Sequence, residues 1–310
     1  MKRFLPILIT SITLLFVQTL FASNLATIDS NKPDLQNLDS MKYTQAAQAG
    51  NPNAMFDLGL MYEKGWTVEQ NTQKAIQWYE KAAQAGNTEA MINLAWIYKK
   101  GLFVKKDDTK ATEWFRQAAS GGNLEAMYNV GFAYETGDGV EIDKMQAGEW
   151  YQQAAQAGHS GAMFGLANLY YKGQGLIQDY QIALNWYQKA ARKANHGAMY
   201  NIASMYFYGI GVNQDYKLAI NWYKQASQVG STKAMRPLAK MYEEGIGLAR
   251  DTFTAVEWYE KAAQGGDFRA MYKLSRMYRI GKAVDQDIQK AQQLLEKAVR
   301  FGYIEEIASK

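Results

Sequence analysis

The dipeptide Ala-Met returns at 54–55, 90–91, 126–127, 162–163, 198–199, 234–235 and 270–271, a period of 36 residues kept seven times without one insertion or deletion. A fixed period of this length belongs to stacked repeats, each too small to bury its own apolar surface and each covering its neighbour's. It overrides the two-domain expectation that 310 residues would otherwise carry. The full units are 51–86, 87–122, 123–158, 159–194, 195–230, 231–266 and 267–302.

Within each unit the columns divide into two helices, A and B. Helix A of the first unit sets Ala54, Met55, Leu58, Gly59, Met61 and Tyr62 on one stripe, and helix B does the same with Ala75, Trp78, Tyr79, Ala82 and Ala83. Capping residues precede both. Asn51, Asn87, Asn123, His159, Asn195, Ser231 and Asp267 stand before the A helices; Asn71, Asp107, Asp143, Asp179, Asp215, Asp251 and Asp287 stand before the B helices. A glycine follows each helix, as a left-handed C-terminal turn prefers. The exception is Ala194, where the turn is expected to be strained or remodelled. "GDGV", "GQGL", "GIGV" and "GIGL", from Gly137, Gly173, Gly209 and Gly245, follow a helix rather than a strand and lack the Lys-Ser/Thr of a phosphate loop, so they read as turns.

Two helices cannot cover each other's stripes, but stacked units give a continuous core, so the fold is all-α, an α/α solenoid of seven helix-turn-helix repeats. Residues 35–50 and 303–310 are expected to act as partial capping segments at both ends, within a solenoid domain of 35–310. The Trp-Phe or Trp-Tyr pairs at Trp78, Trp114, Trp150, Trp186, Trp222 and Trp258 recur too often for one aromatic box, and the Trp column is expected to fill the space between units.

"AMYNVGFAYETGDGVEIDKMQAGEWYQQAAQAG", Ala126 to Gly158, resembles the Sel-one-like repeat, a relative of the tetratricopeptide repeat, and the likeness covers all seven units. The resemblance implies a right-handed superhelix with helix A on the concave side. It also implies a scaffold for protein complexes, in bacteria often in the envelope or in host interaction, and no reaction and no cofactor. The β-lactam chemistry associated with disulfide-rich relatives is not carried over, because this chain has no cysteine.

That absence also excludes thiol nucleophiles and thiolate metal sites. The formal charge of +4, two units of it from Lys2 and Arg3, points to no particular partner. Lys2 and Arg3, the uncharged run Phe4 to Phe21 and the small Ala22 before Ser23 read as a secretory signal over 1–22, or an uncleaved anchor, followed by a flexible linker over 23–34. The expected location is therefore periplasmic or secreted, with membrane contact only through the N-terminal segment if it is retained.

Catalytic groups are scarce. His159 and His196 fall in turns about 10 Å apart, too far for one metal without a third ligand. Glu63 and Glu135 lie two repeats apart, and Glu89 and Glu125 read as solvated first-turn carboxylates. The chain is expected to be no enzyme and to hold no metal.

Function is sought in exposed columns that vary. One runs Leu60, Trp96, Phe132, Asn168, Ser204, Lys240, Arg276; a second runs Asn53, Glu89, Glu125, Gly161, Gly197, Lys233, Arg269; a third runs Phe56, Ile92, Tyr128, Phe164, Tyr200, Arg236, Tyr272. Asn93, Asn129 and Asn201 stand beside the third and are candidates to bond an extended peptide, while Pro237 in the same column is expected to kink its helix. Together the columns predict a groove, aromatic and mildly acidic in its N-terminal half and basic in its C-terminal half. Its candidate contacts are Phe56, Leu60, Ile92, Asn93, Trp96, Tyr128, Asn129, Phe132, Asn201, Lys240, Arg269 and Arg276. The expected partner of a monomeric chain is a protein or peptide. The alternative is a cell-wall glycan stacked on Trp96 and Tyr128; an exported chain seldom meets nucleic acid.

Overall fold

The computed structural model describes residues 40–302. The chain divides into two compact units, 1–105 and 106–310. The first holds α1 (Ser40–Gln48), α2 (Pro52–Lys64), α3 (Thr72–Gln84) and α4 (Thr88–Lys100). The second holds α5 (Asp108–Ser120), α6 (Leu124–Thr136), α7 (Lys144–Gln156), α8 (Ser160–Lys172), α9 (Tyr180–Arg192) and α10 (His196–Tyr208). It continues with α11 (Tyr216–Gln228), α12 (Thr232–Glu244), α13 (Thr252–Gln264), α14 (Phe268–Ile280) and α15 (Ile288–Arg300). Among the described residues every regular element is an α-helix, so the architecture is an all-α repeat solenoid. Even-numbered helices are the A helices, and odd-numbered helices from α3 onward are the B helices. The signal and linker expected over 1–34, and most of the capping segments, lie outside the described residues.

The caps explain the uniform helix bounds. Asn51, Asn71 and Asp143 each accept backbone N–H bonds at the start of the following helix, as expected of the column. Ser231 is the correction: it is buried, and its side chain makes no capping bond to α12. Ala194 keeps the left-handed turn rather than remodelling it, at φ 59°. Its N–H donates to Ala191 at 2.9 Å, just as Gly158 donates to Ala155 at 3.0 Å. An alanine there carries the steric cost of the left-handed region, about 1–2 kcal/mol.

The Gly-x-Gly segments are turns, and their second glycine is a packing requirement between repeats. A Cβ on Gly139 would collide with the Asp108 carbonyl, and one on Gly211 or Gly247 with the Cβ of Tyr180 or Tyr216. Each loop therefore sits against the first turn of the preceding B helix.

The B helices bury alanines and a tyrosine. In α7 these are Ala147, Tyr151, Ala154 and Ala155, and in the second unit one core runs without a break from Ala147 to Met241. Here the aromatic pair divides differently from expectation. Tyr79, Tyr151 and Tyr187 are at most 1% exposed, whereas Trp78, Trp150 and Trp186 are only half-buried. Lys81 and Lys189 lie over the outer faces of Trp78 and Trp186, at 4.2 and 4.0 Å. The tyrosine fills the space between helices; the tryptophan covers its edge.

Candidate interaction face

Within each unit, side-chain bonds tie successive A helices to one another. In the first unit Asn87 Nδ2 donates to Asn53 Oδ1 at 2.9 Å. In the second, Asn201 Nδ2 donates to Asn168 Oδ1 at 3.2 Å, Arg236 Nε to Asp267 Oδ2 at 2.9 Å, and Lys273 meets Glu243 at 2.9 Å. Within each unit these bonds make a row whose outer surface carries that unit's part of the predicted columns.

Behind that row each buried tyrosine needs an acceptor for its hydroxyl, because an unpaired buried O–H is costly. Tyr79 donates to Glu63 at 2.6 Å, Tyr151 to Glu135 at 2.7 Å and Tyr259 to Glu243 at 3.0 Å. Repeats four and five have Tyr171 and Phe207 in place of that glutamate. There the acceptor moves one helical turn back: Tyr187 donates to Asn168 at 2.6 Å, and Tyr223 pairs with Ser204 at 3.1 Å. Phe115 and Leu295 replace the tyrosine in repeats two and seven, and the same two columns then hold Trp96 with Lys99 and Arg276 with Arg279. Burial and the neighbouring Glu135 carboxylate push the Tyr151 phenol far above its ordinary range. It therefore stays a donor at any physiological pH.

This network reassigns much of the predicted groove. Phe56, Tyr128, Phe164 and Tyr200 are half-buried rings lying 5.7, 5.7, 5.9 and 5.7 Å from the buried tyrosine of their own repeat. They are lids on the core. Asn129 is 4% exposed and spends its amide on the Glu125 carbonyl and carboxylate. Asn201 donates to Asn168 of the preceding repeat, the same oxygen that takes the Tyr187 hydroxyl. Asn201 thus extends the tyrosine network, and Asn129 braces the first turn of its own helix. α12 continues through Pro237 and runs the same 13 residues as its neighbours.

Glu125 stands exposed in the first turn of α6, as expected, and there it meets His159. The Ala162 N–H donates to His159 Nδ1, so the ring proton lies on Nε2, which bonds Glu125 at 3.0 Å. That hydrogen bond outweighs partial burial and holds the Glu125 carboxyl below its usual range.

Leu60, Ile92 and Trp96 are half-buried in the first unit, with the Lys100 ammonium 4.9 Å from the Trp96 ring. In the second unit Phe132 is half-buried beside Tyr128, while Lys240, Arg269 and Arg276 are exposed. Lys240 is only loosely paired with Glu244, at 3.8 Å, and Arg269 leans over Phe268.

A row of 36-residue hairpins fixed by an alanine-tyrosine core and asparagine or aspartate caps is a family signature, and the Sel1 repeat matches at 52–87, 88–123, 124–159, 160–195, 196–231, 232–267 and 268–300. The chain belongs to the Sel1 repeat family. A Sel1 repeat protein from Oxalobacter formigenes is 29% identical in sequence, with 86% of this chain and 79% of that one covered and a TM-score of 0.76. The c5321 protective antigen of uropathogenic Escherichia coli, which displays an SLR fold, is 27% identical at a TM-score of 0.55; 86% of this chain is covered, and it spans 65% of that one. A comparison with curated proteins found no match.

Sel1 repeat proteins mediate protein–protein interaction, and the family is typically non-catalytic. Among the described residues of this member no three His, Asp or Glu side chains are placed to share a metal ion, and no helix is long and apolar enough to cross a membrane.

Proposed function

We propose that this Sel1 repeat protein is an exported, non-enzymatic scaffold that holds a segment of a protein partner on its A-helix face, in envelope assembly or host interaction. The observation that supports it is the charge on α12 and α14. These two helices carry Lys233, Arg236, Lys240, Arg269, Lys273, Arg276 and Arg279 against only Glu244 and the buried Glu243. The fold uses some of them: Arg236 holds Asp267, and Lys273 holds Glu243. Lys233, Arg269 and Arg276 form no ion pair that closes a helix contact, and like charges on adjacent helices cost stability unless a partner meets them. Phe132, Lys240, Arg269 and Arg276 are the contacts proposed on the second unit, and Leu60, Ile92 and Trp96 on the first. The apolar run of Phe4 to Phe21 supports export.

Affinity capture from an envelope extract, with residues 23–310 as bait, tests this reading. The expected result is a protein retained by the wild-type chain and released by Arg269→Glu with Arg276→Glu. Retention that survives those changes, or N-terminal sequencing that finds the cellular chain confined to the cytosol with Met1 intact, contradicts it.

A further inference from the structure

Repeats four and five depart from the others in two columns at once. Where α2, α6 and α12 carry Glu63, Glu135 and Glu243, α8 and α10 carry Tyr171 and Phe207, and the first residue of the following B helix becomes Tyr180 or Tyr216. The rings pair edge to face, Tyr171 with Tyr180 at 5.3 Å and Phe207 with Tyr216 at 5.5 Å. Tyr208 adds a third ring, 4.8 Å from Phe207 and 66% exposed. The hairpin does not need these rings, since repeats one, three and six close with glutamate. Asn168 and Ser204 had to take over the tyrosine hydroxyls for the rings to be there.

The shelf adjoins the cationic helices. Helices α8 and α10 hold a single charge, Lys172, while α12 and α14 hold the surplus of Lys and Arg described above. We infer that the aromatic shelf of Tyr171, Tyr180, Phe207, Tyr208 and Tyr216 anchors an aromatic or aliphatic side chain of an extended protein segment. Acidic residues of the same segment then lie on Arg269 and Arg276. The assignment rests on the A-helix face being the interaction face. Neighbouring helices stand about 10 Å apart, and the charges of α14 lie two repeats from α10 and three from α8. An extended chain advancing roughly 3.4 Å per residue spans that gap in about six to nine residues. A protein segment fits better than a glycan. Edge-to-face rings present few open flat faces for a sugar, and the polar groups beside them are engaged, Asn201 with Asn168 and Ser204 with Tyr223.

Panning a random peptide library on the full chain tests the assignment. The expected peptides combine an aromatic or large aliphatic residue with Asp or Glu at about six to nine residues' distance. Tyr208→Ser alters an exposed ring, and Phe207→Glu installs the residue that repeats one, three and six already tolerate; thermal melts verify that both fold. Each is expected to weaken the enriched peptides roughly tenfold or more, mainly through a faster off-rate, and Arg276→Glu to slow their association. Peptides that are indifferent to Tyr208→Ser and Phe207→Glu but sensitive to Arg276→Glu overturn the shelf and leave the A-helix face standing. Peptides equally indifferent to all three overturn both. Failure to enrich any peptide, or enrichment of peptides without acidic residues, overturns the shelf as a protein site.

Discussion

A phenol hydroxyl sets how each hairpin closes. Tyr151→Phe keeps the ring but leaves the Glu135 carboxylate without its donor, and is expected to cost about 1–2 kcal/mol in denaturant melts. Tyr151→Ala opens a cavity in the core and is expected to cost about 3–5 kcal/mol; half-buried Trp150→Ala should cost clearly less. If the tryptophan proves the costlier loss, the division of the pair into filler and cover is wrong. Ala194→Gly relieves a left-handed alanine and is expected to add about 1 kcal/mol, read as a higher melting midpoint at unchanged slope. The capping residues and the turn glycines were legible from sequence, because each is a local requirement satisfied within three or four residues. The tyrosine acceptors were not. Glu63 and Tyr79, 16 residues apart, or Asn168 and Tyr187, 19 apart, meet only once the hairpin closes. The signal was present in the paired variation of two columns, and reading each column alone misses it. Asn168 and Ser204 then look like tolerance on a variable surface, when they are substitutes for a missing glutamate.

Among the helices α12 is the least secured from within. Its Ser231 supplies no side-chain cap, and Pro237 removes an internal N–H donor. Pro237→Asn, the residue found in three other repeats, is expected to stabilise by about 1–3 kcal/mol; an unchanged midpoint would mean that the ring's packing offsets the missing bond. The charges of Glu243 compensate. It is 6% exposed, takes the Tyr259 hydroxyl, and meets Lys273 Nζ at 2.9 Å and Lys282 Nζ at 3.0 Å, tying α12 to the seventh repeat. Burial pushes its carboxyl up, but the two ammonium groups and the phenol together hold it below the usual glutamate range. A carboxyl that titrates lower in the folded than in the unfolded chain stabilises fully above its unfolded value, and that contribution is lost as pH falls through the folded one. Glu243→Gln should therefore flatten the acid limb of stability against pH, with its largest effect at neutral pH; an unaltered acid limb would remove Glu243 from the account.

At the scale of the molecule, periodicity fixed the helix count and the helix faces, because stacking makes every repeat solve the same packing problem. The placement of function was only partly legible. The basic end, Lys240, Arg269 and Arg276, is exposed, whereas Phe56 and Tyr128 of the aromatic half of the predicted groove lie in the outer layer of the core. The second unit instead passes from Glu125 and Glu135 on α6, through the rings of α8 and α10, to the cations of α12 and α14. The central claim is that this A-helix surface meets the partner. Its most direct test is the association rate of a captured partner as a function of salt, for Arg276→Glu against a matched single reversal elsewhere. Lys217→Glu on the first turn of α11 is a better control than Lys224→Glu, since Lys224 lies over the Tyr242 ring. The expected result is slower association and a flatter salt dependence for the A-face variant alone; equal effects from both reversals would contradict the account.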